Sequence, residues 1–380
     1  MLARDGLLFG LPLLPYIVMI SLYSRGAGAV DLHVFWAAAQ AVAHGNSPYD
    51  PAGVAHARAL VEAGSKHGPT ADWAVYPPAI YGVLVPLGLL PWHVAATIGI
   101  AGIAAAGFFA LRIMGIRDWR CYLVAAGSVP FAISILEGAI STLLMLSVAL
   151  AWRGRIPATA SAAALVAKLF VWPLAFVVAG LHGYRRAGIL LGGAFAAVVG
   201  SWAIIGFADL RQYPRLLSDL SATEAQNSFS TAGFAHALGA SPVLGEYAGL
   251  ALGLALAVLA LRAARAGRRD AAFTLAIVAS LLASPIVWAH YFVLVFLPLA
   301  VRAPRFNALW LVALPMWFGS PLAAKGHLLP FLATWPCIAI IVFLVLRPAR
   351  GGEASHAVRP KILTPPVAST ARDADTRAAA

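Results

Sequence analysis

The 380-residue sequence is poor in charge: Asp, Glu, Lys and Arg make up 11% of it, against 61% hydrophobic residues. A soluble domain carries about 25% charged residues, so this chain has too little polar surface to wrap a water-soluble core. Cysteine is scarce as well. The two present, Cys121 and Cys337, lie in apolar surroundings, which excludes a disulfide framework and points to burial as small hydrophobes. The chain has no Walker loop, no dinucleotide fingerprint, no His-Cys metal spacing and no Ser-His-Asp order of a hydrolase. Between the apolar runs there is no Asp-x-Asp pair, which argues against a nucleotide-sugar donor held by a divalent ion. No metal and no cofactor are expected.

What the chain does have is apolar runs long enough to reach across or deep into a bilayer, recurring from residue 7 to residue 346. They predict an all-α polytopic integral membrane protein of about 9–12 membrane helices, counting short or broken ones. The run at 7–24 follows Arg4 but lacks a convincing cleavage site, and reads as an uncleaved first helix. The net charge of +12 is not gathered on one face, which sets aside nucleic acid as a partner. It sits in short clusters: Arg153 with Arg155, Arg185 with Arg186, Arg262 to Arg269, Arg302 with Arg305, and Arg347 with Arg350. Such clusters mark cytoplasmic loops. Two long polar stretches, 25–78 and 209–232, lack this excess and are expected outside. The tail, 348–380, rich in Ala, Pro, Ser, Thr and charge, is expected to be a disordered cytoplasmic end, leaving 1–347 as one transmembrane domain.

Spacing between the basic clusters carries more. From Arg269 to Arg302 the chain must leave the cytoplasm and return. Two helices of about 14 residues fit, roughly 21 Å each, short of the roughly 30 Å hydrocarbon core. The turn Ser284-Pro285-Ile286-Val287-Trp288-Ala289-His290 then falls inside the protein. The stretch from Arg155 to Arg185 behaves alike, with Lys168 near its tip. Broken helices at membrane depth are tolerated where they are buried in protein or line a cavity. Residues 79–120, with Pro86 and Pro91, fit one span plus a re-entrant piece or two spans. Glu137-Gly138 breaks a long helix or forms another tip.

Few residues in these places carry chemistry. Asp31 follows the first helix among apolar and aromatic neighbours, so it is either a partly desolvated general base or the N-cap of a short helix, 32–44, closed by Gly45. Lys168, in an apolar run, is a functional cation suited to phosphate or a lysine snorkelling to the outer interface. His290 is a ligand-binding or a hydrogen-bonded core histidine. Tyr76, before Pro77-Pro78, can be an interfacial anchor. Asn227 and Ser228, in the second outer stretch, could give amide and hydroxyl contacts to a polar ligand or acceptor.

Four separated segments follow in order: Asp31-x-His33-x-Phe35-Trp36 with Gly45-x-x-x-Tyr49-Asp50; Tyr76-Pro77-Pro78 with Pro86-Leu87 and Leu90-Pro91; Lys168-x-x-x-Trp172-Pro173; and Asn227-Ser228 with Ser284-Pro285-x-x-Trp288-x-His290-Tyr291. In this order the chain resembles glycosyltransferase family 87 over roughly residues 28–300. The resemblance implies a C-type glycosyltransferase fold. It also implies transfer of a sugar, mannose or arabinofuranose, from a polyprenyl monophosphate donor to a lipid or glycan acceptor. The reaction would run with inversion, on the outer side of the cytoplasmic membrane. It casts Asp31 as catalytic base, and Lys168, His290, His33, Tyr76 and Trp288 as contacts to the donor phosphate or sugar. The chain departs from the family where a Gly-Gln-x-Asn stretch reads Glu137-Gly138-Ala139-Ile140, and where a second histidine is Tyr291. Two other readings share the broken helices: a lipid or sugar transporter, and a non-catalytic scaffold that leaves Asp31, Lys168 and His290 apart.

Overall fold

Pro78, Pro91, Gly115 and Gly183 stand at helix boundaries, while Pro86 and Pro336 lie inside helices. In the computed structural model, which describes residues 29–50, 74–154, 168–319 and 327–346, helices, turns and loops account for all of these residues, with no strand among them. The first run at 7–24, residues 51–73 of the first outer stretch, residues 155–167 leading to the Lys168 tip, and the tail at 348–380 lie outside the described residues.

Helix α1, Val30–Ala43, is followed by α2, Pro78–Gly88, and α3, Trp92–Met114. The 79–120 region is thus one short helix and one long one, split at Pro91. At 23 residues, α3 is roughly 35 Å long and can span a bilayer. Next come α4, Trp119–Ala126, and α5, Val129–Leu136, bent against one another by 65°. Glu137-Gly138 breaks the chain before α6, Ser141–Trp152. A 3₁₀ turn, Leu169–Val171, leads into α7, Leu174–His182, and α8, Tyr184–Ser201. The second polar stretch holds α9, Tyr213–Glu224, and α10, Thr231–Ala237. The chain then runs through α11, Pro242–Arg265, and α12, Arg269–Ala283. A 3₁₀ segment, Ala289–Val295, continues as α13, Phe296–Arg302. After a further 3₁₀ segment, Ala308–Gly319, comes α14, Leu329–Leu346.

Among the described residues, α3, α8 with its 3₁₀ extension to Ile205, and α11 are long and apolar enough to cross a membrane, and the bent α4–α5 pair adds a fourth candidate. Several shorter apolar helices accompany them. One of these, the helical stretch Ala289–Arg302, forms with the 15-residue α12 the hairpin that basic-cluster spacing predicts, each arm roughly 21–25 Å by helical rise. Their surroundings differ from those of the long helices. Every side chain from Ala271 to Leu281 of α12 is buried, as are those from Ala289 to Ala300, whereas α8 and α11 are buried over 28% of their apolar windows. Phe195 on α8 and Leu244 on α11 are 71% and 65% exposed, as lipid-facing residues must be. These two short helices are core, and α11 packs against the first of them.

Helix α11 lies close against α12 because glycine lets it. A Cβ at Gly253 would stand 2.6 Å from Ala283 Cβ and 2.9 Å from the Ala279 carbonyl oxygen. Small residues at an interface allow such backbone approach between apolar helices.

Candidate active site

Asp31 is not an N-cap. Helix α1 starts one residue before it, at Val30, with Ala29 as N-cap in the left-handed region at φ 63°. Asp31 therefore sits in the first turn, where a carboxylate is favoured by the helix dipole. The far end of α1 closes as expected from Gly45. That residue takes φ +74°, its N–H bonds to the Val42 carbonyl, and Asn46 N–H reaches back to Ala41. This is a Schellman ending.

The start of α1 is fastened to the α5–α6 break. Ala29 N–H donates to the Leu136 carbonyl at 2.8 Å, and Leu32 N–H to the Glu137 carbonyl at 3.2 Å. Gly138, at φ +71°, makes this possible: a Cβ there would lie 2.4 Å from Leu32 Cβ. The break is thus a seat for Asp31. It also aims Glu137, whose Oε2 is 3.3 Å from His290 Nδ1. Asp31, Glu137 and His290 each offer an atom within 4.8 Å of the others'. Among the described residues, this is the group of acidic, His or Cys side chains close enough to share one cation.

Lys168 completes the cluster. It leaves the region outside the described residues in extended conformation and caps the 3₁₀ turn at Leu169–Val171. Its side chain is buried, its Nζ lies 3.5 Å from the Tyr291 ring centroid and 5.3 Å from that of Tyr76, and it is in electrostatic contact with Asp31. Cation–π contact of this kind holds an ammonium without using its donors. Among the described residues, Lys168 Nζ and His290 Nε2 are buried with no hydrogen-bond partner. Buried polar atoms left so are uncommon and costly. The lysine does not snorkel.

Tyr76 is held by three other tyrosines. Tyr49 hydroxyl donates to its carbonyl at 2.5 Å, Tyr213 hydroxyl to the Val75 carbonyl at 2.7 Å, and Tyr76 N–H donates to Tyr81 hydroxyl at 3.1 Å. The backbone at 75–76 is thereby fixed, and the Tyr76 ring with it, in electrostatic contact with Asp31. Trp288 has its ring centroid 5.7 Å from those of both His290 and Tyr291, and its Nε1–H donates to Glu224 at 3.4 Å. Asn227 Nδ2 donates to the same oxygen of Glu224. Ser228 is committed to backbone: its hydroxyl accepts from Val287 N–H at 2.9 Å and Ser230 N–H at 3.1 Å, and donates to Ser230 Oγ.

Of the residues singled out from sequence, Asp31, Lys168, Tyr76 and His290 thus converge, with Trp288 beside them. His33 does not. Two positions along a helix turn the side chain by about 200°, and His33 stacks on Trp92 at 3.3 Å between ring centroids. Glu137 is the group that sequence reasoning missed; it read as a helix break or another hairpin tip, and as a departure from the family's pattern. The scaffold reading, which needs Asp31, Lys168 and His290 apart, does not fit this geometry.

The family model for glycosyltransferase family 87 matches residues 73–285, just over half of the chain. The chain belongs to glycosyltransferase family 87. It is a membrane glycosyltransferase, and a transporter without glycosyl transfer is set aside. A relative from Mycolicibacterium smegmatis (strain ATCC 700084 / mc(2)155) is 29% identical over 353 residues, covering 82% of this chain and 77% of its own. It is the polyprenol-phosphate-mannose-dependent alpha-(1-2)-phosphatidylinositol pentamannoside mannosyltransferase. No solved structure matches the chain. Glu137 and Lys168 lie within the family match, and Asp31 and His290 flank it.

Proposed function

We propose that this glycosyltransferase moves a sugar from a polyprenyl monophosphate donor to a hydroxyl of a lipid or glycan acceptor, with inversion, on the outer side of the cytoplasmic membrane. The carrying observation is the convergence of Asp31 with the buried, unpartnered ammonium of Lys168. In this reading Asp31 takes the proton of the acceptor hydroxyl as its oxygen attacks the anomeric carbon. The bond from that carbon to the phosphate oxygen breaks, and the electron pair leaves with the polyprenyl phosphate. The phosphate gains a negative charge in this step, and a cation already fixed in a dry site stabilises that charge at no cost of reorganisation. Lys168 is such a cation, and its donors are free to receive phosphate oxygens. One base and one displacement give inversion. The positive charge of Lys168 beside Asp31, Glu137 and His290 works against a second cation there, so we read the cluster as acid–base machinery.

The relative's dependence on polyprenol-phosphate-mannose favours mannose over arabinofuranose, and its glycolipid substrate favours a lipid acceptor. The outward placement rests on the low basic excess of the stretches that carry Asp31 and Asn227. The test is purified protein incubated with a panel of polyprenyl-phosphate sugars. Transfer, or slow hydrolysis, from the mannosyl donor is expected. Turnover of a nucleotide sugar with none of any polyprenyl-phosphate sugar would overturn the reading.

A further inference from the structure

Glu137 has a role that its place at a helix break does not explain. Its carbonyl helps seat α1, but its side chain reaches away to a residue 153 positions on in sequence, His290. An ionised carboxylate has acceptors only. Opposite such a carboxylate, His290 would carry the imidazole proton on Nδ1, and Nε2 would be left with a lone pair. That Nε2 is one of two buried atoms at the site without a partner among the described residues; the other, Lys168 Nζ, has donors only. The site therefore holds two unfilled positions of opposite kind. The ammonium suits an anionic oxygen. A lone pair at Nε2 repels an anionic oxygen and accepts a proton donor, which on a glycosyl phosphate means a sugar hydroxyl.

We propose that Glu137 is a positioning residue that locks His290 in the Nδ1–H tautomer, so that His290 Nε2 accepts from a hydroxyl of the transferred sugar while Lys168 takes the phosphate. This deepens the sugar-transfer reading and rests on it. The lock assigns the two halves of the donor to two different residues. It also makes discrimination among sugars depend on a carboxylate that need not touch the substrate.

The test uses the full chain in lipid nanodiscs, as wild type and as Glu137→Gln, which keeps shape but can both donate and accept. Thermal unfolding of both first establishes that the variant is folded. With ¹⁵N-histidine labelling, the His290 signals, identified by their loss in His290→Asn, should report a proton on Nδ1 in the wild type and a mixture of tautomers in Glu137→Gln. Transfer is then measured from donors lacking one ring hydroxyl each. Wild type should lose about tenfold or more in kcat/KM for one deoxy position, the loss of a hydrogen bond to a buried group. Glu137→Gln should fall about tenfold with the intact donor and no longer distinguish it from that deoxy donor. Unchanged tautomer and unchanged deoxy ratio in Glu137→Gln would overturn the proposal. So would loss of a bound Mn²⁺ ion on the substitution, which would make Glu137 a metal ligand. If the wild type transfers nothing from any donor, the functional reading fails and the hydroxyl role with it, while the tautomer measurement still decides the lock.

Discussion

Three parts of the chain reach the 284–291 segment, and they meet it in two different ways. Residues 228–230 bond to its backbone: Phe229 N–H donates to the Val287 carbonyl at 2.7 Å, Val287 N–H to Ser228 Oγ at 2.9 Å. The α5–α6 break and Lys168 meet it through side chains, at His290 and Tyr291. On the first side the serine hydroxyl is used by the protein itself. On the second, two buried nitrogen atoms have no partner among the described residues. A contact whose serine hydroxyl is fully used is structural, and one that leaves a lysine and a histidine nitrogen open to a ligand is a working one. The distinction predicts that substitutions on the first side cost stability and those on the second cost activity.

The largest effect expected, Asp31 apart, is at Lys168. Lys168→Met keeps the apolar stem and removes the charge, and should lower kcat/KM about 10²–10³-fold, the range for removing one fixed stabiliser of transition-state charge. Thermal stability in detergent should change far less than activity: the buried Nζ makes no hydrogen bond that would be lost, and the charge removed offsets the contact given up with Asp31. A variant that unfolds while wild-type-like transfer persists in its folded fraction would move Lys168 to the structural side.

Gly138→Ala strikes the seat of Asp31 and should cost both properties. The added Cβ meets Leu32 Cβ, and alanine is strained at φ +71°; about 1–3 kcal/mol is the usual range for such strain. Because Leu32 neighbours Asp31, transfer should fall more than the unfolding temperature alone explains.

Ser228→Ala should cost about 1–3 kcal/mol of stability, the penalty for leaving a buried N–H such as that of Val287 unsatisfied, with kcat near wild type in the folded protein. A fall in kcat comparable to that of Lys168→Met would erase the comparison.

The smallest effect lies far from both. Asp118 caps α4, accepts from Arg120 N–H and Phe306 N–H, and pairs with the Arg120 guanidinium. These bonds, the guanidinium's first, hold its pKa down from 3.8 to about 2. A lowered carboxylate pKa stabilises the fold above the unfolded value, and that stability is lost as pH falls through the folded one. Asp118→Asn should thus unfold at a slightly lower temperature than wild type at neutral pH, and the gap should close between about pH 4 and about pH 2. Transfer at neutral pH should be unaffected.

Much of this was legible in the sequence where a residue's surroundings are local. The α12–α13 hairpin follows from the distance between two arginine clusters, and its burial from being too short to span. Gly45 ends α1 as glycine must. Asp31 itself could not be placed by capping rules, because the start of α1 is set by hydrogen bonds from the α5–α6 break, about a hundred residues away in the chain. Helical geometry alone could have removed His33, which faces away from Asp31. Glu137 had a signal that went unused: a carboxylate in a long apolar run is costly and functional by default, the argument that singled out Lys168. A neighbouring glycine gave it a sufficient local explanation, and its partner lay too far along the chain for any pattern to join them.

Asp31 is the residue on which the proposed transfer depends most. The direct measurement is single-turnover transfer from a labelled polyprenyl-phosphate mannose by Asp31→Asn, in membranes containing acceptor. Asparagine fills the same space and cannot take the proton, so the rate should fall by about 10²–10⁴-fold, the usual worth of a positioned base, while donor binding persists through Lys168. Full transfer activity in Asp31→Asn would contradict it.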